Sequence, residues 1–100
     1  MLKHIEESEF DETIKSEKVV IVDFFATWCM PCQMLGKVLE KIDDRIDIAK
    51  VDVDNAHELA YQFNVESVPT MVVFKNGNQI DRLEGYYSEE ELNKKINEWL

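Results

Sequence analysis

The chain has 100 residues and, with 21 acidic against 11 basic side chains, a formal net charge of −10. That length suffices for one domain with a buried sheet and several helices, and 45% hydrophobic with 10% aromatic content is the composition of a packed protein rather than a disordered acidic tail. The acidic balance argues against nucleic acid or an anionic membrane surface as the main partner, since both demand a basic footprint. The longest uncharged stretch, Phe24–Gly36, has 13 residues and carries Thr, Gln and Pro, too short and too polar for a transmembrane helix. The N-terminal residues lack the apolar core of a secretory signal. The expectation is a single domain over residues 1–100, cytoplasmic and monomeric.

In chain order, Leu2–Ile5 is a candidate edge strand, too short to be decided by pattern. Residues 8–16 open on Ser8-Glu9-Phe10-Asp11, a capping-type start, with Phe10 and Ile14 at helical spacing. Val19–Ala26 is β-branched and aromatic, apolar on both faces except at Asp23, as in a central strand covered on both sides. From Pro31 onward Leu35, Val38, Leu39 and Ile42 form one face of an amphipathic helix. Ile46–Val53 alternates and predicts a second strand, after which Asn55 caps a short helix to about Phe63. Met71–Phe74 and Gln79–Glu84 are strands joined by the turn Lys75-Asn76-Gly77-Asn78. Ser88-Glu89-Glu90-Glu91 is a capping box for a last helix that buries Leu92, Ile96 and Trp99. The fold class is α/β: a mixed sheet of four or five strands with four helices distributed over both faces.

The only cysteines, Cys29 and Cys32, lie where the central strand ends and a helix begins. A disulfide between them closes a loop so short that the chain-entropy gain is about 2 kcal/mol, a poor reason for the pair. The carboxyl end of a strand in an α/β sheet is where ligand sites are expected. A cysteine at a helix N-terminus faces free N–H groups and the positive end of the dipole, which favour thiolate. Cys29 is placed for that role. Cys32, one turn in, suits a resolving thiol, and Pro31 occupies the first turn, where a missing N–H costs nothing. Zinc would need two more ligands, and His4 and His57 have no ligand spacing, so no metal is expected. Asp23 is the second anomaly. A carboxylate in a strand buried on both faces is costly if charged and unpaired, so its pKa should rise; the alternative is a solvated, inert aspartate at a strand end. Its position six residues before Cys29 would set it beneath the helix start, and Lys50 on the neighbouring strand is its candidate partner.

The segments Val22-Asp23-Phe24-Phe25-Ala26-Thr27-Trp28-Cys29-Met30-Pro31-Cys32, Ala49-Lys50-Val51-Asp52-Val53-Asp54, Ser67-Val68-Pro69-Thr70, Phe74-Lys75-Asn76-Gly77 and Gly85 together resemble the thioredoxin family. The likeness runs in order over nearly the whole chain. It implies the thioredoxin fold, with Cys29 as nucleophile, Cys32 as resolving cysteine, Asp23 as acid/base for Cys32 and Lys50 as the partner of Asp23. It also implies a cis peptide bond at Pro69, backbone pairing of Val68 with an extended substrate, and positions for Trp28 and Gly85 flanking the substrate groove. The implied activity is reduction of protein disulfides with no bound cofactor, the Cys29–Cys32 disulfide being re-reduced by a thioredoxin reductase that draws on NADPH. An oxidant or isomerase of shifted potential, or a binding module on the same scaffold, are the alternatives.

Three positions depart from the family pattern. Met30 replaces the usual Gly between the cysteines, where with Pro31 it tunes thiolate pKa and potential. Gly36-Lys37 stands where a helix proline is usual, so that any kink must come from Gly36. Ser67 replaces a common Gly. Charge is unevenly spread, too: Phe24–Gly36 and Ser67–Phe74 carry none. If those two segments meet in space, they make an uncharged landing site for an extended peptide inside an acidic surface.

Overall fold

The computed structural model describes residues 1–100. Five strands form one sheet in the order β1-β3-β2-β4-β5: β1 (Leu2–His4), β2 (Val20–Phe25), β3 (Asp47–Asp52), β4 (Thr70–Lys75) and β5 (Asn78–Glu84). β3 runs parallel to both β1 and β2, whereas β4 is antiparallel to β2 and β5 antiparallel to β4. The four helices are α1 (Phe10–Ile14), α2 (Met30–Ile42), α3 (His57–Gln62) and α4 (Glu89–Trp99), with 3₁₀ turns at Glu7–Glu9 and Val53–Asn55. The mixed sheet and the hairpin expected from the hydrophobic pattern are present, and the N-terminal segment that pattern left undecided is an edge strand, β1.

Period-2 side-chain alternation divides the core into two layers. On one face Val19, Ile21, Ile48, Met71 and Val73 pack under Leu35, Val38, Leu39 and Ile42 of α2 and Leu92 and Ile96 of α4. On the other, Val20, Val22, Phe24, Ala49, Val51, Val72 and Phe74 meet Phe10 of α1 and Leu59 of α3. Burial on both faces explains why β2 reads as a continuous apolar run. Asp23 belongs to the α2 face, in register with Lys50 on β3 and Met71 on β4.

Local signals behaved unevenly. The Ser88 capping box forms, with the Ser88 hydroxyl accepting from the Glu91 N–H and the Glu91 carboxylate accepting from the Ser88 N–H. The hairpin turn places Asn76 and Gly77 at φ of 55° and 81°, the left-handed pair that a two-residue I′ connection requires. The start expected at Ser8 is instead a 3₁₀ turn boxed by Glu6 and Glu9, which leads into α1. The cap expected at Asn55 does not form: Asp52 caps the 3₁₀ turn, its carboxylate accepting from the Asp54 N–H, and α3 begins two residues beyond Asn55 at His57 with Ala56 as N-cap, its Leu59 N–H donating to the Glu7 carboxylate. In both places an acidic side chain other than the expected cap takes a free N–H, Glu9 at Glu6 and Glu7 at Leu59, and the path of the chain selects it. Trp99 is half-buried against the α2 face, its indole N–H donating to Asp81.

This topology gathers four chain segments at one end of the sheet. Because β4 is antiparallel to β2, its first residue, Thr70, lies opposite Phe24, near the end of β2. Thr70 also lies opposite Glu84 at the end of β5, and Phe25 opposite Asp52 at the end of β3. The residues just after β2, β3 and β5, and just before β4, therefore share one rim.

Candidate active site

Cys29 is the N-cap of α2. Its backbone is extended (φ −98°, ψ 113°), and its sulfur accepts from the Cys32 N–H at 3.2 Å. The Cys29 carbonyl accepts from the Gln33 N–H. With Pro31 in the first turn and one donor fewer to satisfy, the Cys32 N–H and the positive end of the helix dipole meet Cys29 Sγ, conditions that favour a thiolate. Cys29 and Cys32 form a disulfide with Cα atoms 5.2 Å apart, in the ordinary range for such a bridge. Both are buried, and Trp28 and Met30 beside them are among the most exposed large apolar residues.

The two uncharged segments do meet. Cys29 Sγ lies 3.7 Å from the carbonyl oxygen of Val68, across the rim from α2. The Val68-Pro69 peptide bond is cis. Neither the N–H nor the C=O of Val68 is paired with another backbone group, so an unfilled main-chain edge faces the disulfide. Beside it, Trp28, Val53, Val65, Glu66, Ser67 and Val68 line a cavity of about 180 Å³. Gly85, in a left-handed conformation at φ 90°, donates its N–H to the Pro69 carbonyl at 2.9 Å, which holds the far side of the same loop.

On the α2 face of β2, Asp23 is fully buried, and neither carboxylate oxygen has a hydrogen-bond partner. Burial pushes its pKa up to about 7, against a smaller opposing pull from the Lys50 ammonium. Lys50 Nζ is 3.9 Å from Asp23 Oδ2 and 4.6 Å from the centroid of the Phe25 ring, and its side chain is only 13% exposed. Asp23 is therefore not a solvated aspartate at a strand end.

Three contributors escape a linear reading. Gly36 stands over Lys50: an ideal Cβ there would lie 3.1 Å from Lys50 Nζ, so the glycine makes room for the ammonium, while α2 continues unbroken through it. Asp54 accepts from the Trp28 indole N–H at 3.0 Å and orients that exposed ring. Arg82, on the α3 face of β5, contacts the loop that leads to Val68. An arginine in a polar alternating strand and a surface aspartate carry no local mark of these contacts; the mid-helix glycine, a poor helix former, stands out in the sequence, but as a site for a kink rather than as room for Lys50.

A five-stranded mixed sheet between helices, with a Cys-x-Pro-Cys pair capping the helix after the central strand and a cis-proline loop against it, defines a thiol–disulfide exchange protein. Residues 1–98 match the family model described as Thioredoxin. Over 92 residues the chain is 45% identical to a thioredoxin of Staphylococcus haemolyticus, the alignment covering 88% of each chain. It is 43% identical over 94 residues to the chloroplastic thioredoxin Y of Oryza sativa subsp. japonica, covering 89% of this chain and 56% of that one. Among solved structures, a single-residue mutant of the thioredoxin from Halobacterium salinarum superposes with a TM-score of 0.89 at 35% identity, covering 98% of this chain and 89% of that chain. The chain belongs to the thioredoxin family. It has the thioredoxin fold and is a thiol–disulfide oxidoreductase of the protein-disulfide reductase type. No helix is long and apolar enough to cross a membrane.

Proposed function

We propose that the chain reduces disulfides presented on extended segments of other proteins, docked along Val68 and flanked by Trp28 and Gly85. The carrying observation is the position of Cys29 Sγ, capped by the Cys32 N–H and facing the unpaired backbone of Val68. In the reduced protein the Cys29 thiolate attacks one target sulfur. The target S–S bond breaks, a Cys29–target bond forms, and the other target sulfur departs as a thiolate that takes a proton. Asp23, acting as base, accepts the Cys32 proton. The Cys32 thiolate then attacks Cys29 Sγ, the mixed disulfide breaks, and the second target sulfur leaves to be protonated. Two electrons pass from the dithiol to the target, which leaves Cys29–Cys32 oxidised. A carboxyl with a pKa near 7 is matched to that proton transfer at neutral pH, and Lys50, its neighbour, keeps the value from rising further.

Met30 and Pro31 tune the potential through the α2 N-terminus. No bound cofactor is required. Electrons return from NADPH through a thioredoxin reductase that docks on the same two uncharged segments, and the protein works as a single-domain monomer in the cytoplasm. The test is reduction of insulin disulfides with dithiothreitol as electron source: the wild type should accelerate it well beyond a Cys29→Ser variant, and equal rates would overturn the reading. Equilibration with glutathione then distinguishes a reductant, with a potential well below the glutathione pool, from an oxidant or isomerase.

A further inference from the structure

The loop facing Cys29 has almost no backbone bonding of its own. Between Val65, whose N–H reaches the Ala60 carbonyl, and Pro69, no N–H or C=O of Glu66, Ser67 or Val68 pairs with another backbone group. Within it only the Ser67 carbonyl finds an internal partner, the Thr70 hydroxyl at 2.7 Å. A segment so thinly held should wander, yet a peptide-pairing edge has to be presented in one orientation. Strand β5 and the residue just beyond it supply what the loop lacks. At the loop's far end Gly85 N–H holds the Pro69 carbonyl. At its near end the Arg82 guanidinium reaches across from β5 and donates to the carbonyls of Phe63 and Asn64, the latter at 3.0 Å.

Those two carbonyls terminate α3. Asn64 is left-handed at φ 54°, and the Asn64 and Val65 N–H groups turn back to Tyr61 and Ala60, so the helix closes in a Schellman-type turn. The turn leaves the Phe63 and Asn64 carbonyls pointing outward at the negative end of the helix, where a fixed planar cation fits best. Arg82 is itself immobilised: its Nε is 3.1 Å from Glu84 Oε2, and its own N–H donates to Asp81, whose other oxygen accepts from Trp99 of α4. Its side chain is half-buried, and Asn64, Glu66, Ser67 and Glu84 surround it in an open polar cleft that continues the loop's outer edge.

We infer that Arg82 is a positioning residue for protein substrates: it clamps the start of the Asn64–Pro69 loop to β5 and so sets the orientation of the Val68 backbone edge opposite Cys29. It touches neither the disulfide nor the substrate. The inference rests on the proposed docking of peptides along Val68. A small disulfide that needs no backbone pairing reaches Cys29 Sγ equally well without the clamp, whereas a protein disulfide docks more weakly.

The experiment compares wild type, Arg82→Gln and Arg82→Lys with two oxidants: insulin, and the small aromatic disulfide 5,5′-dithiobis(2-nitrobenzoate). Loss of two charge-assisted bonds should raise KM for insulin in Arg82→Gln by roughly three- to tenfold, with kcat nearly constant and the small-disulfide rate within about a factor of two of wild type. Arg82→Lys, which keeps the charge and can reach one carbonyl, should recover part of the loss. A general structural role would depress both rates together or neither, and either result overturns the inference. If Arg82→Gln does not fold, the same split in Arg82→Lys decides. Failure of the functional reading looks different: wild type would then reduce insulin no faster than Cys29→Ser, and the clamp would fall with it.

Discussion

Lys50 Nζ stands 3.9 Å from Asp23 Oδ2, too far for a hydrogen bond, inside a site where the carboxylate has no other polar partner. The pair therefore interacts through charge alone, and that attraction is smaller than the cost of removing the carboxylate from water. An ordinary buried ion pair would lower the pKa of an aspartate. Here the balance is reversed, and the group is left ready to gain or lose a proton near neutrality.

Stability should carry the signature of this carboxyl. Its folded pKa, about 7, lies above the unfolded value of 3.8, so between these limits the native protein holds a proton that the unfolded chain has released. Stability from this group is fully present below pH 4, falls as pH rises to about 7 and is flat above. Asp23→Asn removes that slope. In urea unfolding of the oxidised protein, the variant should gain on wild type by roughly 2–4 kcal/mol between pH 4 and pH 8. A stability difference that stays constant between those pH values would contradict the assignment.

Lys50→Met should move the Asp23 titration upward, because the ammonium is the one influence that lowers it. The carboxyl ¹³C resonance of Asp23, followed by NMR from pH 4 to pH 10, reads the midpoint directly. A midpoint below that of wild type would show that the lysine acts otherwise than by its charge.

Gly36→Ala sets two effects against each other. Replacing a mid-helix glycine should stabilise α2 by about 1 kcal/mol through propensity alone. The new Cβ, however, would lie 3.1 Å from Lys50 Nζ, so that the ammonium must give way slightly. The expected result is a protein that is no less stable at pH 4, where Asp23 is neutral, but whose Asp23 midpoint has moved up. An unchanged midpoint would mean that the lysine shifts without leaving the carboxylate's field.

Turnover should separate the two cysteines. Cys32→Ser should accumulate a mixed disulfide between Cys29 and the target, detectable by mass spectrometry after acid quench. Asp23→Asn should leave the first attack intact and slow release of that intermediate by roughly 10²-fold near pH 7, the usual contribution of a positioned base. Fast release in Asp23→Asn would remove Asp23 from the mechanism.

Much of the site was legible because its parts are local. The Cys29/Cys32 pair at a strand–helix junction, and an acid inside an apolar run, are anomalies against period and composition, visible without neighbours. The helix faces of α2 and α4 were legible for the same reason: Leu35, Val38, Leu39, Ile42, Leu92 and Ile96 repeat at helical spacing, and all are buried. The caps at Ser8 and Asn55 were misread because an acidic chain offers rival acceptors at almost every turn. Arg82 was silent, since its partners at Phe63 and Asn64 are 19 and 18 positions away and on another element.

By itself, then, the sequence determined the periodicities, the hairpin turn, the reactive pair and the uncharged composition of two distant segments, all properties of residues within a few positions of one another. Only the tertiary structure decided that those segments touch, that Asp23 is wholly dry and paired with Lys50 at arm's length, and that β5 and the residue just beyond it grip both ends of the loop opposite Cys29. These depend on strand order and register. β4 lies antiparallel to β2, so that Thr70 meets Phe24 and the ends of β2, β3 and β5 reach one rim. Solvent exposure and long-range Coulomb interactions are properties of that packing, and no window of neighbouring residues contains them.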